Sequence, residues 1–165
     1  MRFPRRSAGI LLVVGAALAT PARARAQSDS AAVVGAIERF FDALRTKDTV
    51  VMRASVDSAA RFTLLRPDPA GGVRVVVLSG DQFLRNASNP SSPPLDEPIR
   101  NARVLVDGDL ASVWAEYQVR RDGQVSHCGY DAFHMVRRQG AWKLLNVSDT
   151  FRREGCGGTW PAGRR

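Results

Sequence analysis

Three turn signals, Asp107-Gly108, Asp122-Gly123 and Gln139-Gly140, cut residues 100–150 into stretches that alternate apolar and polar side chains. Asp-Gly between alternating stretches is a strong hairpin signal, because the favoured two-residue turns need φ > 0 at their central positions. The pattern predicts strands over about 100–106, 109–121, 124–138 and 141–150, joined by three hairpins into an antiparallel meander. A chain with this much local sheet at its end must find something to cover at least one face of it.

The cover is offered upstream. Val33, Ile37, Phe40, Phe41 and Leu44 fall at i, i+4, i+7, i+8 and i+11, one apolar stripe of a helix over 30–45, with Glu38, Arg39 and Asp42 outside it. Ser28, Asp29 and Ser30 supply oxygens suited to its N-terminus. Thr46 to Asp48 ends the helix, and Asp48 is placed to cap a second, short one through about Ala54. Strands are predicted over 61–66 and 73–79, joined by the turn-forming run Pro67-Asp68-Pro69-Ala70-Gly71-Gly72. Ser79 and Gln82 have capping-box spacing for a short helix over 80–87. Residues 88–98, with four prolines, read as a mobile loop. Helices first and a sheet last make the class α+β, with N-terminal helices packed on a curved antiparallel sheet.

Two-residue turns imply a register, and a one-residue slip would reverse neighbours but keep each strand's parity. Trp114 then faces Asp131, Glu116 faces Gly129, and Gln118 faces His127; Asp131 in turn faces Ser148, Phe133 faces Asn146, and Met135 faces Leu144. One face would carry Trp114, Glu116, Gln118, His127, Asp131, Phe133, Met135, Leu144, Asn146 and Ser148. The other would carry Val104, Val106, Ala111, Val113, Ala115, Tyr117, Val119, Cys128, Tyr130, Ala132, Val136, Leu145 and Val147. One face packs on helix 30–45, and the other meets a partner or encloses a pocket.

The N-terminus reads as an export signal. Arg2, Arg5 and Arg6 precede an uncharged run over Ile10–Ala19, shorter than the roughly 20 residues of a membrane span. Ala24-Arg25-Ala26 is a small-x-small cleavage motif, so residues 1–26 form the signal peptide and Gln27 the mature start. The whole chain carries a net charge of +8, but five of its arginines and none of its acids lie in residues 1–26, which leaves +3 for the remainder. That removes the argument for nucleic-acid binding. Residues 27–158 form a single domain, and 159–165 a disordered tail. No stable membrane insertion is expected after cleavage.

The order of helix, short helix, hairpin, third helix and long meander resembles the nuclear transport factor 2-like (cystatin-like cone) superfamily. The segments that carry the likeness are Val113-Trp114-Ala115-Glu116-Tyr117, Ser126-His127-Cys128-Gly129-Tyr130-Asp131-Ala132-Phe133, Trp142-Lys143-Leu144-Leu145 and Asp149-Thr150-Phe151-Arg152-Arg153-Glu154-Gly155-Cys156. Within the superfamily it is most similar to exported bacterial members of the lumazine-binding-like and polyketide-cyclase-like branch. The resemblance implies a cone-shaped cavity, which in that superfamily serves isomerases, dehydratases, cyclases and non-catalytic binders, so fold alone does not choose among them.

The candidate pocket residues are Trp114, Glu116, His127, Asp131, Phe133 and Asn146. If the domain is an enzyme, Asp131 is the general base, positioned by His127 or Glu116. His127 and Asp131 are four residues apart on one strand, roughly 13 Å, too far to hydrogen-bond along it. In the structural alternative, Asp131 accepts a hydrogen bond from Ser148 or the backbone, and Trp142 plugs the core. No nucleophile motif, phosphate loop or metal-ligand spacing is present, so neither cofactor nor metal is expected. Cys128 and Cys156 are the two cysteines, and in an oxidising compartment they suit one disulfide that pins the tail to the sheet; the register sets Cys128 opposite Phe151. The expected function is an exported, periplasmic or secreted domain that binds a small apolar ligand or acts as a dimeric interaction module. The alternative is a proton-transfer enzyme of isomerase, dehydratase or cyclase type. A homodimer is expected through the second sheet face.

Overall fold

The apolar stripe of the first helix is buried as its spacing requires: Val33, Ile37, Phe40, Phe41 and Leu44 lose nearly all their solvent exposure, each worth roughly 1.5–3 kcal/mol. The computed structural model describes residues 21–161. Helix α1 spans Pro21–Thr46, α2 Thr49–Ser55 and α3 Gly80–Ala87; the strands are β1 Val56–Pro67, β2 Val73–Ser79, β3 Ile99–Asp107, β4 Leu110–Arg121, β5 Gln124–Arg138 and β6 Ala141–Asp149. The basic segment and apolar run of the expected signal peptide lie outside the described residues. The Ala24-Arg25-Ala26 motif falls within α1. That helix begins well before residue 30, so Ser28, Asp29 and Ser30 do not cap it, and Asp29 instead pairs with Arg137 at 3.1 Å.

The other local signals hold. Lys47 ends α1 with φ 60, and its ammonium donates to the Ala87 carbonyl at 2.7 Å, tying the corner to the end of α3. Asp48 caps α2, accepting from the Val50 and Val51 amides at 3.1 and 3.0 Å. Ser79 and Gln82 form the reciprocal capping box of α3. At the second and third hairpins Asp122, Gly123, Gln139 and Gly140 all take positive φ.

The strands form one six-stranded sheet in the order β2-β1-β6-β5-β4-β3. The meander is antiparallel, and β1 joins it by running parallel to β6, which makes the sheet mixed. The helices are segregated to one side of this sheet, the α+β arrangement.

The register differs from the two-residue-turn expectation, for an identifiable reason. Arg121 pairs with Gln124 and Arg120 with Val125 as expected, but Val119 pairs with His127, leaving Ser126 as an extra residue in β5. Beyond this bulge every partner shifts by one and β5 presents its opposite face. Asp131 therefore faces Ala115, Gly129 faces Tyr117, and Trp114 faces Ala132. A second bulge at Leu145 keeps Met135 opposite Leu144 but sets Phe133 against Val147 and Asp131 against Asp149. The inner face, under α1, is thus Ala111, Val113, Ala115, Tyr117 and Val119 of β4 with Asp131, Phe133 and Met135 of β5, all buried. Trp142 is buried as the core plug, with the Arg137 guanidinium over its ring.

The tail folds back over the outer face. Cys128 and Cys156 form a disulfide with Cα atoms 5.5 Å apart. The bulge moves the pairing of Cys128 from Phe151 to Arg152, with reciprocal backbone hydrogen bonds of 2.9 Å. Closing a loop of sequence separation 28 is worth about 3–4 kcal/mol in the chain-entropy model. The Arg100 guanidinium donates to the Thr159 carbonyl at 2.6 Å and lies 3.9 Å over the Trp160 ring.

Candidate functional site

The bulge at Ser126 decides which side chains meet in the interior. His127 and Asp131 turn inward, to a cavity of about 200 Å³ between the sheet and α1, walled by Phe40, Phe41, Phe62 and Phe83. Trp114 and Glu116 keep the parity of β4 and lie on the outer face. There Trp114 is 47% exposed and stacks on Tyr130 at 5.2 Å. The Glu116 carboxylate is gripped by Arg100 at 2.7 Å and Asn101 at 2.9 Å, and these hydrogen bonds hold it below the usual carboxylate range. Asn146, opposite His134 and Arg61, is also on the outer face. Phe133 points inward but packs edge-on against Phe41 in the core. Of the six pocket candidates, His127 and Asp131 line the cavity.

Four side chains unforeseen as site residues join them: Arg66 from β1, Glu97 from the proline-rich loop, Tyr117 from β4 and Asp149 from the end of β6. Asp149 accepts from the Arg66 guanidinium at 2.7 Å and from the Leu65 amide at 3.0 Å. The Tyr117 hydroxyl donates to the Thr150 carbonyl at 2.6 Å, and burial beside three carboxyls pushes its ionisation upward. Gly129 makes room for this tyrosine, since a Cβ there would strike the Thr150 carbonyl and the Tyr117 ring. His127 stacks on Phe151 at 4.5 Å, and burial, reinforced by Arg66 and Arg121, lowers its imidazole to about 4.

Asp131 is the exceptional member. Its side chain is 1% exposed, and its Oδ2 has no hydrogen-bond partner among the described residues. The expected bond from Ser148 does not form, because Ser148 pairs with Ala132 on the outer face. Loss of solvent, then the charges of Glu97 and Asp149, raise Asp131 well above the usual carboxylate range. Loss of solvent, then the charges of Asp149 and Asp96, push Glu97 up to about 8. The cavity therefore holds two carboxyls displaced toward their protonated form, an Asp149–Arg66 ion pair, the Arg121 guanidinium and, at neutral pH, an uncharged imidazole. It is polar at one end and apolar along its walls. No group of His, Cys, Asp and Glu suited to a metal ion occurs among the described residues.

No family model matches the sequence, and no curated protein matches it. The likeness is in the backbone. A protein from Novosphingobium aromaticivorans with a cystatin-like fold superposes with a TM-score of 0.62 over 81% of this chain and 88% of its own, at 13% identity. The chain has the nuclear transport factor 2-like fold. Two further structures extend the comparison. A candidate dehydratase of the nuclear transport factor 2-like family from Streptomyces avermitilis has a TM-score of 0.61, 16% identity and coverage of 77% and 98% of the two chains. The β subunit of a candidate aromatic-ring-hydroxylating dioxygenase from Novosphingobium aromaticivorans has a TM-score of 0.64, 15% identity and coverage of 78% and 92%. In the nuclear transport factor 2-like fold of this chain, the cavity is the space between the curved sheet and its helices.

The protonated carboxyls make stability depend on pH with a definite sign. Between pH 6.5 and about 8 the folded His127 imidazole is already neutral and its unfolded counterpart gives up at most about half a proton, whereas Glu97 keeps in the fold most of a proton that the unfolded chain has released. The native state then binds more protons, and stability falls as pH rises through this window. Asp131 is raised in the same sense. Thermal unfolding followed by circular dichroism should show a declining midpoint from pH 6.5 to about 8 in the wild type and a flatter one in Glu97→Gln. Identical, flat profiles for both proteins would contradict this electrostatic picture.

Proposed function

We propose that this chain is an exported domain that binds a small, mostly apolar molecule in its cone cavity, oriented by one hydroxyl or carbonyl group at Asp131. The observation that carries the reading is the buried Asp131 Oδ2 without a partner, facing a cavity whose walls are phenylalanine rings. An orphaned polar atom of this kind costs about 1–3 kcal/mol, which a ligand that completes the hydrogen bond recovers. Few, placed polar groups in an apolar pocket are the usual design of a small-molecule site. Export to the periplasm or the exterior is supported by the Cys128–Cys156 disulfide and by the signal-like N-terminal sequence. No helix of the described residues is long and apolar enough to cross a membrane.

Naphthol and naphthalene test the cavity, because they differ only in the hydroxyl. Calorimetry should show naphthol binding about tenfold more tightly, with Asp131→Leu erasing the preference. Uptake of neither compound would contradict the reading.

A second reading is favoured by one observation. Asp131 and Glu97 share one cavity and are both raised above the usual carboxylate range, Glu97 to about 8, which suits proton transfer of isomerase, dehydratase or cyclase type. The candidate dehydratase among the structural neighbours is compatible with it. The two readings differ in whether the bound molecule leaves chemically changed.

The homodimer expected from sequence is retained, on a different set of residues. Trp114, Ala132, Ser148, Thr63 and Val77 form one row across the outer face, and Leu105 and Val75 extend its exposed apolar surface. Sedimentation at micromolar concentration should give twice the chain mass; a monomer contradicts the dimer.

A further inference from the structure

The cavity that holds Asp131 adjoins a second one of about 270 Å³, the two sharing Leu64, Phe83, Leu95 and Arg121 as walls. The outer cavity opens beside the exposed Pro93 of loop 88–98, and its charged lining groups are Lys47 and Arg121, with no carboxylate. This polarity is the reverse of the inner cavity, where the carboxyls are. The Lys47 ammonium is occupied by the Ala87 and Asn89 carbonyls. Arg121 differs from the arginines around it. Arg66, Arg100, Arg120, Arg137 and Arg138 each hold a carboxylate, whereas the Arg121 guanidinium makes no ion pair or hydrogen bond among the described residues. It shares the inward parity of Tyr117 and Val119.

We infer that the ligand is an amphipathic acid, with a hydroxyl or carbonyl at Asp131, an apolar body along Phe62 and Phe83, and a carboxylate at Arg121. The inference rests on the cavity reading above. Asp131 sits opposite Ala115 of β4 and Arg121 ends the same strand; that is roughly 20 Å of backbone, shortened at both ends by the side chains. A planar guanidinium is suited to bidentate contact with a carboxylate. Leu95 and Phe83, common to both cavities, give the connecting stretch apolar walls.

The probes are ω-hydroxydecanoate and the matching α,ω-decanediol, which differ in whether the outer end is charged. Calorimetry at low salt should show the hydroxy acid binding wild type about fivefold more tightly than the diol, with the ratio shrinking as salt is added. Arg121→Ala should bring the acid down to the diol's affinity and leave the diol unchanged. Arg121→Lys should keep part of the preference. Arg121 is exposed at a strand end, so neither variant disturbs the core. Equal binding of acid and diol to wild type, unaltered by Arg121→Ala, would make Arg121 a solvated charge and overturn the inference while the cavity reading stands. If neither probe binds wild type, the cavity reading falls and the inference falls with it.

Discussion

One extra residue in β5, Ser126, sets the chemistry of the interior. Upstream of it β4 and β5 pair as their tight turn dictates; beyond it, β5 is turned over relative to β4. Bulges do this because side chains alternate with period two, so one added residue exchanges the faces for the rest of the strand. The consequence is thermodynamic as well as geometric. Asp131, which would otherwise stand on the outer face beside Glu116 and its cations, is carried under α1 among phenylalanine rings. The Leu145 bulge repeats the manoeuvre on the other side of β5 and brings Asp149 alongside. Two carboxyls are thus placed in one apolar enclosure, and the loop that follows α3 adds Glu97 as a third.

Such an enclosure is tolerable because its charges are managed separately. Arg66 neutralises Asp149 directly, and the Leu65 amide completes that carboxylate's hydrogen bonding. For Asp131 and Glu97, loss of solvent shifts the balance toward the protonated form. Tyr117 spends its hydroxyl on the Thr150 carbonyl, and the side-chain-free Gly129 lets its ring lie flat against β5. The polar atom left over is Oδ2 of Asp131. Among the described residues, the enclosure therefore keeps a buried carboxyl oxygen without a hydrogen-bond partner, on a side chain that lines the cavity.

Much of the architecture was legible in the sequence because its signals are local. The α1 stripe, the Asp48 cap, the Ser79–Gln82 box and the glycine turns each act within a few residues, and each is present in the structure. The Cys128–Cys156 pairing was legible too, since the glycines around Cys156 let the tail return. The bulges were not, because Ser126 and Leu145 are ordinary strand residues whose extra place appears only when partners are counted. Half of the expected pocket was misplaced for that reason: Trp114, Glu116 and Asn146 moved outside while Asp131 and His127 moved in. Glu97 carried no periodic signal in its proline-rich loop. Arg66 and Asp149 meet only through the parallel β1–β6 pairing, which no hairpin signal announces.

The central claim is that Asp131 lies in this enclosure, where loss of solvent raises its titration well above the usual aspartate range. Carbon-detected NMR titration of the side-chain carboxyls measures it directly. The account predicts that the Asp131 carboxyl titrates well above the usual aspartate range and that its curve shifts in Glu97→Gln, because the two carboxyls interact. An Asp131 that titrates as an ordinary solvated aspartate, indifferent to Glu97, would contradict the buried placement and with it the proposed binding site.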